Sequence, residues 1–168
     1  MPFTPFHMGP ALFFGLALFT VFDLPTLLVA SVIIDIEPFY VMYLNVSGYP
    51  LHGFLHSYLG ASIMAILLAL IIYPIRNKLN RIMLFLRVSQ EFSFKKIVFT
   101  SFVGVFSHVF LDSFLYGEMN PFFPFEGNPF FNLTPISTIY VTVYGFCAFL
   151  LLMSVPLYIY RISRSAKA

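Results

Sequence analysis

Two histidines four residues apart open the longest clean apolar run of the chain. His52 and His56 lie within residues 50–57, directly before this run. On an α-helix this spacing would place both imidazoles on one face, one turn apart. A buried polar group without a partner costs several kcal/mol in hydrocarbon, so histidines at the mouth of a membrane helix indicate a ligand or a partner. Neutral imidazole is a common ligand of divalent metal ions.

Other side chains of the ligand type lie in separate apolar segments of the chain. His108 and Asp112 repeat the four-residue spacing and would also share one helix face. The candidate metal ligands are His7, Asp35, His52, His56, His108 and Asp112. Glu37 is the candidate general base, and Asp35 is a candidate for a catalytic as well as a metal-binding role. We expect zinc, with manganese or iron as alternatives, since these ions take imidazole and carboxylate ligands.

This set is larger than one tetrahedral zinc ion needs. Either two metal ions bind, or some of the residues orient the ligands or act as a general base. Each piece also has a simpler interpretation: His52 and His56 could be interfacial residues, and His108 with Asp112 could be an intrahelical hydrogen-bonded pair. Together they favour a metal site, because ionisable residues inside a membrane usually serve function.

The composition is that of an integral membrane protein. The chain has 168 residues, of which 60% are hydrophobic and 10% charged, with a mean hydropathy of +0.90. Soluble domains are nearer half apolar and a quarter charged. Six of the nine basic residues lie in 76–96, a distribution typical of membrane topology and not of nucleic-acid binding. We therefore predict an all-α polytopic transmembrane helical bundle of about five spans, forming a single membrane domain over 1–168.

The apolar runs place the spans. They are predicted at 5–22, 25–44, 51–73, 97–116 and 135–160. The segment 76–96 is predicted to be a basic, amphipathic connector at the membrane surface. Asp23 and Pro25 indicate a turn that restarts a helix, whereas Pro38 is expected to kink or break the second span and to push Glu37 out of helical geometry.

The basic segments predict the orientation. The connector 76–96 and the basic tail after residue 160 should be cytoplasmic. The C-terminus is then cytoplasmic, and the N-terminus is extracytoplasmic. The candidate ligands fall in the middle-to-outer half of the bilayer, among membrane lipids, so the site is also predicted to be extracytoplasmic.

Four short motifs carry a resemblance to a known family. They are residues 1–7, Asp35 with Glu37 and Pro38, residues 52–57, and residues 107–112, in that order. The pattern resembles the membrane-bound metal-dependent hydrolases, the YdjM-like group and its prokaryotic, including archaeal, relatives, over roughly residues 1–125. The resemblance implies metal or catalytic roles for His7, Asp35, His52, His56, His108 and Asp112.

The chain also departs from this family pattern. Many relatives have Asp-x-Asp where this chain has Asp35 and Glu37, and His-Arg where it has His52 and Gly53. Glutamate can replace aspartate as a ligand, but the absent arginine removes a potential phosphate clamp.

The favoured function is metal-dependent hydrolysis of an ester or phosphoester that is lipid-borne or close to the membrane. The substrate would be a lipid or a small molecule, and the nucleophile a water of lowered pKa. A metal or proton carrier is an alternative, but it needs access from both sides, and only Asp23 is ionisable in the cytoplasmic half of any predicted span. A structural membrane protein with interfacial histidines is the other alternative, and it predicts no bound metal.

Overall fold

The protein is a bundle of α-helices. A computed structural model describes residues 5–131, 133 and 135–165, and these contain no β-strand. Residues 1–4 of the first motif and the last basic residue, Lys167, lie outside this range. The helices are α1 (Met8–Ala17), α2 (Leu24–Ala30), α3 (Ile36–Tyr43), α4 (Tyr58–Phe85), α5 (Phe94–Ser113) and α6 (Ile136–Ser165). The predicted all-α fold is confirmed.

Within the part of the chain that the structure describes, four stretches are long and apolar enough to cross a membrane. They are Leu24–Tyr43, Tyr58–Phe85, Phe94–Ser113 and Thr138–Ser163. In the first predicted span, 5–22, the α-helix covers only the ten residues of α1. At 1.5 Å per residue α1 is about 15 Å long, roughly half of the hydrocarbon core. It packs on α2 and α6, and a Cβ added at Gly9 would overlap the carbonyl group of Cys147.

The second span is broken, as predicted, but at a different place. α2 begins after Asp23, whose side chain accepts the Thr26 N–H as an N-cap. It ends at Ala30, a 3-10 turn covers Ile33–Asp35, and α3 follows directly. The prediction that Glu37 leaves helical geometry is wrong, because Glu37 lies in the first turn of α3. Pro38 is tolerated there because first-turn N–H groups have no intrahelical acceptor.

The third span begins later than predicted. His52 lies in a bend and His56 ends the 3-10 turn Phe54–His56, so the prediction that they share a helix face is wrong. Ser57 caps α4 by accepting the Gly60 N–H, which fixes the helix start after the histidines. α4 then continues to Phe85, so the first half of the predicted surface connector is helix, and only 86–93 separates α4 from α5.

Small residues let the central helices approach closely. Ala61, Ala65 and Ala69 of α4 are fully buried in the core that α4 forms with α5 and α2. A Cβ added at Gly104 of α5 would overlap Ala30 of α2. Such contacts are typical of helix packing in membranes, and they bring the second half of α5 against the break between α2 and α3.

A buried ion pair fixes the end of the bundle where α5 begins. Arg76 Nε donates to Asp23 Oδ1 at 2.8 Å, and both side chains are fully buried. The Asp23 N–H donates to the Thr100 hydroxyl, and Gln90 accepts the Leu24 N–H. This network ties the turn between α1 and α2 to α4, to α5 and to the loop between them.

Candidate metal centre

Four ionisable side chains converge in the interior at the other end of α5. They are Asp35, His56, His108 and Asp112, and each is at most 2% exposed. One potential ligand atom from each lies within 4.8 Å of all the others. The 3-10 turn before α3 supplies Asp35, the turn before α4 supplies His56, and α5 supplies the other two.

Both imidazole Nε2 atoms face the same two carboxylates. His108 Nε2 lies 3.2 Å from Asp112 Oδ2 and 3.4 Å from Asp35 Oδ1. His56 Nε2 lies 3.8 Å from Asp112 Oδ2 and 4.0 Å from Asp35 Oδ1. The pairing of His108 with Asp112 across one turn of α5 agrees with their sequence spacing. His56 reaches the same place from a different part of the chain.

The hydrogen bond at Nδ1 determines which nitrogen of His108 carries the proton. Its Nδ1 lies 2.7 Å from the carbonyl oxygen of Ser31. A carbonyl oxygen only accepts hydrogen bonds, so Nδ1 is the donor. In the neutral ring, Nε2 then presents a lone pair to the carboxylates. The break after α2 matters here, because Ser31 follows Ala30 at the end of that helix.

Glu37 fixes His56 in the same way. Its Oε2 lies 2.8 Å from His56 Nδ1 and accepts the N–H groups of Gly53 and His56. Its Oε1 accepts the Tyr49 hydroxyl and the Leu55 N–H. Desolvation raises the pKa of Tyr49, so the phenol keeps its proton and donates. With this many donors around the carboxylate, His56 Nδ1 also donates, and its Nε2 presents a lone pair.

The four side chains fit a divalent metal ion. Among the described residues, the buried atoms without a hydrogen-bond partner include His56 Nε2, His108 Nε2 and Asp35 Oδ2. Buried acceptors that face other acceptors are costly unless a cation or a proton lies between them. Two imidazole nitrogens and two carboxylates are a donor set that zinc takes, and histidine ligands usually donate their other ring N–H to a carboxylate or a carbonyl oxygen.

Two predicted ligands lie beside this cluster. His7 Nε2 is 3.0 Å from Asp112 Oδ1, and the His7 ring stacks on His108 with centroids 4.3 Å apart. His52 packs edge-on against His56, with ring centroids 4.8 Å apart. The structure therefore brings all seven predicted site residues to one region. It separates the four that converge from His7, His52 and Glu37, which contact them.

Several residues around the cluster have no counterpart in the sequence-based prediction. Glu118 contacts His52, Tyr49 contacts Glu37, and the Ser31 carbonyl contacts His108. Glu118 could have been found, because it is an acidic residue soon after the span that carries Asp112. The other two carry no signal in the sequence, since a tyrosine in a loop and a backbone carbonyl are not distinctive.

The comparisons with known proteins identify a family. A family model described as YdjM inner membrane protein matches residues 1–167. No curated protein and no solved structure matches the chain. The match extends beyond the first 125 residues, over which the sequence motifs resemble that group, and takes in α6.

Proposed function

This chain belongs to the YdjM inner membrane protein family, and we propose that it is a metal-dependent hydrolase of a lipid-borne or membrane-proximal ester or phosphoester. One observation carries the proposal. Two buried imidazoles, each with its Nδ1 hydrogen-bonded to an acceptor, point their Nε2 lone pairs at two buried carboxylates. A divalent cation is the partner that this donor set fits.

Asp35, His56, His108 and Asp112 would hold the ion, with zinc favoured and manganese or iron as alternatives. When bound, such an ion polarises a carbonyl or phosphoryl oxygen and acidifies water. The chain's own groups position the ligands, since Glu37 and the Ser31 carbonyl hold the two imidazoles by Nδ1.

Three further roles belong to the proposal. His7 orients Asp112, because its Nε2 lies 3.0 Å from Oδ1 of that carboxylate. Asp35 keeps one oxygen without a hydrogen-bond partner, which leaves it available as a ligand or for the catalytic role predicted for it. The general-base role predicted for Glu37 stays a prediction, and its contacts favour a positioning role instead.

The surroundings of the cluster support a substrate from the membrane. Asp35, His108 and Asp112 lie within candidate membrane spans. A mainly apolar cleft of about 370 Å³ lies against Glu37 and is lined also by Ile36, Tyr40, Val41, Val46, Tyr49 and Leu55. Ile36 and Tyr40 are at least half exposed on α3. A hydrocarbon chain could therefore occupy this cleft close to the metal-binding side chains.

Metal content tests the proposal directly. We would measure zinc, manganese and iron in the protein purified in mild detergent, as wild type and as the His56→Ala and Asp112→Ala variants. Wild type should contain one or two equivalents, and each variant should lose them while remaining helical and monodisperse. Glu126→Ala is the matched control, because Glu126 is exposed and lies outside the four-residue cluster.

Two results would contradict the proposal in different ways. Wild type without metal after reconstitution, or variants with wild-type metal content, would contradict the metal site. A metal-loaded wild type that cleaves neither bis(p-nitrophenyl) phosphate nor p-nitrophenyl esters of short to long acyl chains would support the metal site and contradict the hydrolase activity.

A further inference from the structure

The His52 side chain is held by contacts to three other side chains, but it lies outside the four-residue cluster. Its Nδ1 lies 2.8 Å from Glu118 Oε1, and its side chain is 3% exposed, against 42% for that of Glu118. Its ring stacks on Tyr116 with centroids 3.7 Å apart and meets His56 edge-on. The contact with Glu118 joins the loop before α4 to the loop after α5, across 66 residues of sequence.

A carboxylate at Nδ1 prepares an imidazole for proton transfer. It favours the tautomer with the proton on Nδ1, which leaves Nε2 to accept a proton. It also stabilises the imidazolium that forms when Nε2 accepts one. The same pairing would suit a metal ligand, but His52 is not in the group whose ligand atoms lie within 4.8 Å of one another. Its position therefore favours proton transfer.

His52 also lines an opening beside the cluster. A cleft of about 210 Å³ is bounded by His52 together with Tyr49, Pro50, Gly53, Phe54, Asn120 and Phe123. His56 is in edge-on contact with His52. His52 thus contacts both an open cleft and a member of the four-residue cluster. A substrate in this cleft would lie beside its ring.

We propose that His52 is the proton-transfer residue of the hydrolysis and that Glu118 is its positioning residue. This inference rests on the proposed function. The oxygen of water forms a bond to the acyl carbon or the phosphorus, and His52 Nε2 takes a proton from that water. The bond to the leaving oxygen then breaks with its electron pair, and His52 returns the proton to that oxygen. One water is consumed, and His52 is regenerated.

The experiment combines metal content with kinetics on wild type, His52→Asn, Glu118→Gln and Glu118→Asp. The probes are bis(p-nitrophenyl) phosphate and p-nitrophenyl esters. His52→Asn keeps a donor for Glu118, which protects the loop contact. It should retain the wild-type metal content and lose about 100- to 10,000-fold in kcat, the range of general acid–base catalysis. Glu126→Gln is the control for Glu118→Gln and should match wild type.

Glu118→Gln separates a positioning role from a merely structural one. It keeps a hydrogen-bond acceptor but removes the charge that stabilises the imidazolium, so kcat should fall with KM little changed. A merely structural loop contact would not produce this split between kcat and KM. Glu118→Asp retains the charge and should recover part of the rate.

Each outcome decides between the two proposals. Loss of metal in His52→Asn would make His52 a ligand and overturn the inference. Full activity in His52→Asn, or an unchanged kcat in Glu118→Gln, would overturn it while leaving the hydrolase intact. An inactive, metal-loaded wild type would instead overturn the proposed function, and the inference would fall with it.

Discussion

Replacing Glu37 with glutamine distinguishes a carboxylate that positions His56 from one that acts as the general base. The substitution is isosteric, but the amide nitrogen of glutamine donates where both carboxylate oxygens accept. Oε2 faces His56 Nδ1 at 2.8 Å and two backbone N–H groups, and Oε1 faces the Tyr49 hydroxyl and the Leu55 N–H. In either orientation of the new side chain, its amide nitrogen would meet donors.

The size of the expected effect on metal affinity follows from the orientation of the new side chain that loses the fewest hydrogen bonds. With the amide nitrogen at the Oε1 position, the Tyr49 hydroxyl can turn to accept, but the Leu55 N–H cannot. One hydrogen bond to a charged group is then lost, at about 1.5–3 kcal/mol. Because these bonds hold the turn that carries His56, the loss should appear in metal affinity as about a 10- to 150-fold rise in Kd. Changes to groups that orient metal ligands typically have effects of this size.

The assay is competition for zinc against a chromogenic chelator, in detergent, with hydrolysis of the probe substrates measured in parallel. Glu126→Gln carries the same chemical change at an exposed position and should bind zinc as wild type does. Unchanged zinc affinity with abolished hydrolysis in Glu37→Gln would refute the positioning role and support the general base. Unchanged values in both assays would show that Glu37 supports neither.

Two further predictions concern the scaffold, with thermal unfolding in detergent as the measurement. Arg76→Met leaves the buried Asp23 carboxylate without its partner and should destabilise by about 3–5 kcal/mol, whereas adding Asp23→Asn should recover part of the loss. Equal melting temperatures for wild type and Arg76→Met would contradict this. Gly104→Ala would force a Cβ against Ala30 and should cost about 1–3 kcal/mol and weaken any zinc binding, since α5 carries two of the four cluster residues. Gly145→Ala is its control, because a Cβ there meets nothing within 4 Å, and equal losses in both variants would contradict the packing argument.

The position of α1 brings His7 to the buried four-residue cluster. α1 has ten residues and packs on α2 and α6. His7 ends the 3-10 turn Pro5–His7 directly before it, and its ring stacks on His108. If α1 began further from the four-residue cluster along its axis, His7 would not reach Asp112. The close approach of Gly9 to Cys147 on α6 lets α1 pack tightly two residues after His7.

The orientation of the chain in the membrane stays a prediction. The basic residues of 76–96 and of the tail place these segments in the cytoplasm by the positive-inside rule. Arg76 contributes less to this argument than the sequence suggests, because its charge is buried against Asp23 and is not presented at a membrane surface. If the prediction holds, the four-residue cluster lies towards the extracytoplasmic side.

Local sequence determined the features that depend on neighbouring residues. The apolar composition makes helices in a membrane the expected fold, because every backbone polar group must be satisfied within the chain. The four-residue spacing of His108 and Asp112 placed them on one face, and both lie in the continuous helix α5. Asp23 and Pro25 marked the start of α2 because N-caps and first-turn prolines act through the nearest backbone groups.

Tertiary structure decided the features that depend on partners far along the chain. The same four-residue spacing does not place His52 and His56 on one helix face. Ser57 caps α4 after them, and Glu37, 19 residues before His56, binds their turn instead. Which nitrogen of His108 faces the centre depends on the Ser31 carbonyl, 77 residues away. The sequence contains the histidine and carboxylate side chains of the four-residue cluster. Their convergence requires the break after α2 and the close packing of α2, α4 and α5, and neither is visible in the spacing of the residues.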